Sequence, residues 1–333
     1  MSTVGSLNSK RFMRTFDSYT KVDLPKLDLP KLDLSEVDSS TEGCVKSWIK
    51  DDILFIDGLL CKDWCDSVIK VTDPHYASIK DEYSELARDA TRFLTLNSDL
   101  SSKLWTVIEP YFTEYIKDSV RPYDQTGKPV FTNRPNTPFG FGVKGVWSPL
   151  KINECFRFNK YVGSDSSVGF EPHRDSLYVE DYSKRSIYTI LIYLNDLDDT
   201  GETVFLQPNL TGFNKNMKKS VYPTVPEEMA DGYVITSSIK PKTGLIAIAC
   251  HNRVHRGNSV KPGLTKYVVR SDIVFECVSR PENYSKDLWV DSELFSQAVG
   301  LYNDAKYYEM KGDVKKASEC YEKGLAIRQN TYV

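Results

Sequence analysis

From residue 136 to residue 278 the chain is cut into short runs rich in Val, Ile, Tyr and Phe, separated by Gly, Asp, Asn and Pro. The clearest runs are residues 155–161, 186–194, 201–206, 245–250 and 266–276. β-Branched and aromatic residues suit a pleated, half-buried surface, and the turn formers between them hold each run to the length of one strand. This patterning predicts an antiparallel sandwich or barrel. Residues 207–241 interrupt it with three lysines (Lys215, Lys218, Lys219) and little apolar periodicity, which predicts a long loop, functional or disordered.

The flanks read differently. Residues 52–57 form an apolar strand-like run, and residues 59–69 have helical spacing. Two further helices are predicted at residues 84–96 and 99–118, the second ending before Pro122. Their apolar positions (Leu86, Ala90, Phe93; Leu104, Val107, Ile108) recur every three to four residues, as one buried face requires. Residues 46–135 are therefore expected to supply a strand and helices that support the sheet. Before them, residues 21–34 repeat Lys-Val/Leu-Asp-Leu-Pro, a period of five that matches neither helix nor strand. Residues 1–45 are read as a low-complexity, disordered tail with partner docking as its secondary reading. At the other end, Leu301, Ala305, Tyr308, Gly312, Asp313, Ala317, Tyr321 and Gly324 follow the spacing of one tetratricopeptide repeat within residues 286–333. A single helix pair cannot bury its own apolar face, so it is expected to dock on the rest of the chain or on a partner protein. The fold class is thus mostly β with flanking helices (α+β).

Composition removes several classes of function. A net charge of −3 gives no polyanion-binding surface, which argues against nucleic acid as the partner. No run reaches the length of a membrane span. The seven cysteines are odd in number and contain no C-x-x-C pair, so they read as reduced thiols of a cytoplasmic or nuclear protein. The first sixteen residues carry Lys10, Arg11 and Arg14 without acids, a weak organellar transit composition that a disordered tail fits better.

Two motifs mislead. Residues 140–145 match G-x-G-x-x-G, and His173-Arg174-Asp175 matches the start of a kinase catalytic loop. The asparagine expected five residues after Asp175 is Glu180, no Asp-Phe-Gly follows, and Pro149 breaks the helix that a dinucleotide fold needs after its glycines. The His-x-Asp has another use. On an extended strand, residues two apart share a face, so His173 and Asp175 can aim at one point while Arg174 turns away. A histidine from a neighbouring strand would complete two imidazoles and a carboxylate, the facial triad of non-haem Fe(II) oxygenases. Of the four histidines, His251 and His255 are both candidates. His255 is preferred because it opens His255-x-Gly257-x-x-Val260-x-x-Gly263, followed by residues 266–272.

Five blocks in order (residues 152–161, 172–175, 193–195, 201–205 and 255–272) make the sequence resemble the Fe(II)/2-oxoglutarate dioxygenases, in their prolyl 4-hydroxylase-like branch. The resemblance spans residues 50–278. It implies a double-stranded β-helix, the jelly roll, over residues 136–278. It also implies Fe(II) held by His173, Asp175 and His255, with 2-oxoglutarate as co-substrate, O₂ as oxidant and L-ascorbate to rescue oxidised iron. The far carboxylate of 2-oxoglutarate needs a buried cation. Lys266 and Arg270 lie four apart on one strand and face the same side, so spacing does not choose between them. The family's basic residue usually lies about ten positions after the distal histidine, and Lys266 lies eleven after His255. Tyr161 and Tyr193 match family positions that hydrogen-bond the co-substrate, and Thr203 and Phe205 would shape the pocket. The activity implied is hydroxylation of an unactivated C–H bond, releasing succinate and CO₂, on a protein or peptide substrate, with a small molecule as the lesser alternative. A catalytically inactive scaffold with the same fold is the reading from another class.

Overall fold

The computed structural model describes residues 27–32, 45–78, 90–116, 146–175, 178, 184–208, 233–251, 253–279, 297, 298, 300, 301, 304, 305, 308 and 313–329. Among them the chain is mostly β: thirteen strands, every pairing antiparallel, and three helices.

In chain order the elements are β1 (Lys46–Lys50), β2 (Ile53–Asp57), α1 (Lys62–Thr72), β3 (Ala77–Ser78), β4 (Thr91–Leu96) and α2 (Ser98–Ile116). There follow β5 (Val146–Ile152), β6 (Cys155–Val162), β7 (Phe170–His173), β8 (Lys184–Tyr193), β9 (Thr203–Pro208), β10 (Tyr233–Ile239), β11 (Ile246–Cys250), β12 (Val254–Gly257), β13 (Thr265–Ser279) and α3 (Val314–Gln329). A large sheet runs β1-β2-β11-β8-β13-β6-β4-β3, with β5 also on β13. A small sheet runs β10-β9-β12-β7. Two packed antiparallel sheets are consistent with a jelly roll.

Strand alternation explains the layers. On β8, Tyr188, Ile190 and Ile192 join Ile246 and Ile248 of β11 and Val269, Ile273 and Phe275 of β13 in one core, against α1 and α2. α2 meets it with Leu100, Leu104, Ile108, Phe112 and Ile116, one residue per turn. Asn97 caps this helix by accepting from the Leu100 N–H at 2.8 Å. The other faces of the same strands turn inward. Leu191, Tyr193, Ala247, Ala249 and Val268 pack with Phe205 and Ile239 of the small sheet. The interior between the sheets is where His173, Lys266 and Arg270 belong by register.

Four expectations change. Residues 91–96 are a strand, not the end of a helix over 84–96. Phe93 pairs with Phe158 and only Phe93 and Thr95 are fully buried, a period of two that the spacing of Leu86, Ala90 and Phe93 concealed. Residues 79–89 lie outside the described residues. The predicted loop over 207–241 contains β10, whose alternation is broken by a bulge between Ile235 and Ser237. Residues 46–96 do more than buttress the sheet, since β2 pairs with β11 and β4 with β6. The tail is not featureless either: Leu32 is 6% exposed in the main core, and the Trp64 indole donates to the Pro30 carbonyl at 3.2 Å. The Leu-Pro repeat thus supplies apolar side chains to the core, while the rest of residues 1–45 lies outside the description save Val45.

The described residues from 297 to 308 are helical, and after Asp313 the chain is helical again in α3. Ala298, Ala305, Ala317 and Tyr321 are buried, and Asp313 caps α3 by accepting from the Lys316 N–H. No disulfide joins the six described cysteines.

Candidate metal centre

β7 and β12 run antiparallel in the small sheet with His173 and His255 as register partners, which sets their rings 4.4 Å apart. β7 ends at His173, and Asp175 follows on the exit from the strand. Its Oδ1 lies 3.9 Å from His173 Nε2 and its Oδ2 lies 3.7 Å from His255 Nε2. All three donor atoms fall within 4.8 Å of one another.

The protonation of both rings follows from their partners. His173 Nδ1 lies 2.7 Å from the Glu171 carbonyl oxygen, and His255 Nδ1 lies 3.1 Å from the Arg253 carbonyl oxygen. A carbonyl only accepts, so each Nδ1 carries a proton and each Nε2 is the ring atom turned to the shared space, where it can serve as a metal ligand. Burial works against the Asp175 charge, yet the opposing charge, that of the Arg270 guanidinium foremost, outweighs it and holds the carboxyl below the usual range. Two neutral imidazoles and one ionised carboxylate can hold a first-row divalent metal and leave other positions open.

Arg270 sits against this carboxylate. Its Nε is 3.0 Å from Asp175 Oδ1, an ion-pair distance without the alignment of a hydrogen bond. Its Nη2 donates to Asp272 Oδ1 at 3.0 Å. Asp272, 0% exposed, also accepts from Arg157 Nη1 and Asn153 Nδ2. Lys266 is placed otherwise. Its Nζ donates to Thr203 Oγ1 at 3.3 Å and lies 5.7 and 5.5 Å from the Tyr161 and Tyr193 ring centres. It is 3% exposed and forms no ion pair with a carboxylate among the described residues, so burial pushes its amine down to about 7, offset in part by Glu202. Gly201, at φ +67°, brings the chain close to this lysine stem, where an added Cβ would sit 3.4 Å from Cδ. The buried Tyr193 hydroxyl faces the Thr203 hydroxyl, and burial pushes its pKa up.

Beside the triad lies a small, partly open recess lined by Thr189, Leu191, Phe205, Ala247, Ala249 and Cys250 with Asp175 and His255. Ala247 and Ala249 are the smallest side chains of its lining.

No family model and no curated protein matches the chain. The chain is similar to 2-oxoglutarate/Fe(II) oxygenases of known structure. A prolyl hydroxylase from Trichoplax adhaerens, in complex with a hypoxia inducible factor peptide fragment, is 10% identical over 82% of this chain and 93% of that one, with a TM-score of 0.38. A Pseudomonas putida prolyl-4-hydroxylase is 10% identical over 64% and 87%, with a TM-score of 0.35. The epimerase SnoN from nogalamycin biosynthesis, in complex with Fe³⁺ and alpha ketoglutarate, is 10% identical over 71% and 84%, with a TM-score of 0.40. Overlaps of this size leave the chemistry to be argued from the chain's own residues.

The structure brings His173, Asp175 and His255 together and leaves His251 out of the cluster, buried at 1% exposure. Tyr161 and Tyr193 flank Lys266, not Arg270. The sequence reading passed over Thr189, whose hydroxyl donates to Asp175 Oδ2 at 2.5 Å. It also passed over Arg157 and Asp272 as an ion pair. The period of two held the signal: Thr189 lies four before Tyr193, and Asp272 two after Arg270, on the same inward faces.

Proposed function

We propose that this chain is an Fe(II)- and 2-oxoglutarate-dependent dioxygenase that hydroxylates an unactivated C–H bond of a protein or peptide side chain. One observation carries the reading. An open two-His, one-Asp donor set shares a sandwich interior with buried Lys266, which forms no ion pair with a carboxylate among the described residues. A zinc hydrolase can use a similar donor set, but hydrolysis gives no use to a lysine amine buried between two tyrosines in the same interior. A dicarboxylate that chelates the metal at one end does.

The residues fit both groups. His173 Nε2, His255 Nε2 and one Asp175 oxygen would hold Fe(II). Lys266 would ion-pair the far carboxylate of 2-oxoglutarate, with the Tyr193 and Thr203 hydroxyls as hydrogen-bonding groups and Tyr161 closing the other side. Arg270 is the weaker candidate for that role, because its guanidinium is already engaged by Asp175 and Asp272. When bound, iron and 2-oxoglutarate with O₂ supply the oxidation that puts one oxygen atom on the substrate carbon and the other in succinate, with CO₂ released.

The chain's own part is positional. Lys266 fixes one end of the co-substrate, and the backbone-tethered imidazoles fix the other. Leu191, Phe205, Ala247 and Ala249 surround the reacting space with apolar surface and limit water there. Ascorbate is the proposed reductant that restores Fe(II), and the C-terminal helices are proposed as a contact for a partner or substrate protein. No helix among the described residues is long and apolar enough to cross a membrane.

The test is anaerobic addition of Fe(II) and 2-oxoglutarate, read by the charge-transfer absorbance of the chelate, then O₂ and a succinate assay. The wild type is expected to show both signals, with Asp175→Ala and His255→Ala showing neither. A silent wild type, or triad variants that keep both signals, sinks the reading. A chelate signal without succinate, across candidate peptides, favours the scaffold.

A further inference from the structure

We propose that His251, reaching through Thr189, is a positioning residue that fixes the metal-ligating carboxylate of Asp175; this rests on the metal-binding reading above. The chain of contacts is continuous. Thr189 Oγ1 lies 2.5 Å from Asp175 Oδ2 and 2.8 Å from His251 Nδ1, and His251 Nε2 lies 2.8 Å from Ser186 Oγ.

Valence sets every direction. A carboxylate can only accept, so the single hydroxyl proton of Thr189 goes to Asp175. Thr189 must then accept from the ring, which places the proton on His251 Nδ1. The other ring nitrogen is left with a lone pair and accepts from the Ser186 hydroxyl. Ser186 Oγ in turn accepts from the Tyr178 N–H at 2.8 Å, and the Ser186 N–H donates to the Tyr178 carbonyl at 2.8 Å. Tyr178 follows Asp175 by three residues, so the same chain of bonds reaches from the carboxylate to the Tyr178 backbone.

The ring is suited to this service. It is buried, and burial holds it down to about 4 despite the nearby Asp272 carboxylate, so it is neutral at physiological pH and keeps one donor and one acceptor. A charged ring would need an acceptor at Nε2 and would put a second cation beside Arg270. Arg270 faces Oδ1 and Thr189 faces Oδ2, so both oxygens are restrained and the carboxylate plane cannot rotate away from the imidazoles. Outer groups of this kind commonly change metal affinity 10- to 100-fold.

Co(II) titration of the metal-free full-length protein, followed by ligand-field absorbance, tests this without turnover. Thr189→Val keeps the shape and removes the hydroxyl; Thr189→Ser keeps the hydroxyl; His251→Leu removes the ring. The expected result is a 10- to 100-fold weaker Co(II) affinity with shifted bands for Thr189→Val and His251→Leu, and near-wild-type behaviour for Thr189→Ser. Because the contacts act in series, adding His251→Leu to Thr189→Val should cost no further affinity. Unchanged affinity and bands in Thr189→Val, or full additivity in the double variant, overturn the proposal while leaving the metal centre intact. A wild type that binds Co(II) no better than Asp175→Ala overturns both. Should His251→Leu fail to fold, the Val-versus-Ser comparison at position 189 still decides.

Discussion

Replacing Lys266 by Met should stabilise the ligand-free protein while destroying its use of 2-oxoglutarate. Methionine keeps the unbranched stem that packs beside Gly201 and removes only the amine. The amine is 3% exposed and titrates at about 7 against an ordinary 10.5. At about 1.4 kcal/mol per pH unit, that difference corresponds to roughly 5 kcal/mol of folding free energy. The sign follows from proton binding. Below about pH 7 the folded and unfolded chains both carry the proton, and the cost of burying the charge is complete. Between about 7 and 10.5 only the unfolded chain carries it, so the cost shrinks as pH rises and is gone above 10.5. Urea unfolding of metal-free protein at pH 6 should find Lys266→Met more stable than wild type by roughly 2–5 kcal/mol, and at pH 9 the gap should narrow by about 2–3 kcal/mol. Isothermal titration with Fe(II) or Co(II) present should show 2-oxoglutarate binding roughly 10- to 100-fold weaker, the worth of a charge-assisted hydrogen bond. A variant less stable than wild type at pH 6, or a gap that ignores pH, would mean that Lys266 already has an anionic partner, and the case for a waiting cation collapses.

Three further outcomes follow from the same residues. Wild-type affinity for 2-oxoglutarate should be flat below pH 7 and fall by up to roughly tenfold per pH unit above it, with proton uptake on binding, because the dianion restores the ammonium form of Lys266; a flat profile from pH 6 to 9 contradicts this. Arg270→Met breaks a buried contact to Asp175 and Asp272 and should cost about 3–5 kcal/mol of stability together with metal affinity. At saturating metal it should weaken 2-oxoglutarate far less than Lys266→Met does, and the reverse ranking would move the anion site to Arg270. Leu32→Ala should lower stability by about 2–3 kcal/mol in chemical unfolding, as for a buried core leucine, whereas no change would return residues 27–32 to the status of a free tail.

What the sequence determined by itself was the periodic part. Alternation of β-branched and aromatic residues marked most of the strands, and α1 and α2 showed their apolar stripe, because both patterns are local and repeat along the chain. His173, Asp175 and His255 were also legible, since two of them stand two residues apart and the third heads a distinctive glycine-spaced run. The tertiary structure decided what depends on registration between distant strands. Whether His251 or His255 meets His173 is set by the pairing of β12 with β7, and no local signal contains it. Lys266 and Arg270 share a strand and a face. Yet the pairing of β13 with β6 and β8 sets Lys266 between two tyrosines and Arg270 beside the ligand carboxylate. Thr189 and His251 gained their relation the same way, because the bonding of β11 to β8 brings residues 62 apart in sequence within 2.8 Å. A one-residue slip of any of these strands would turn the same side chains to the opposite face, so register is what makes the site.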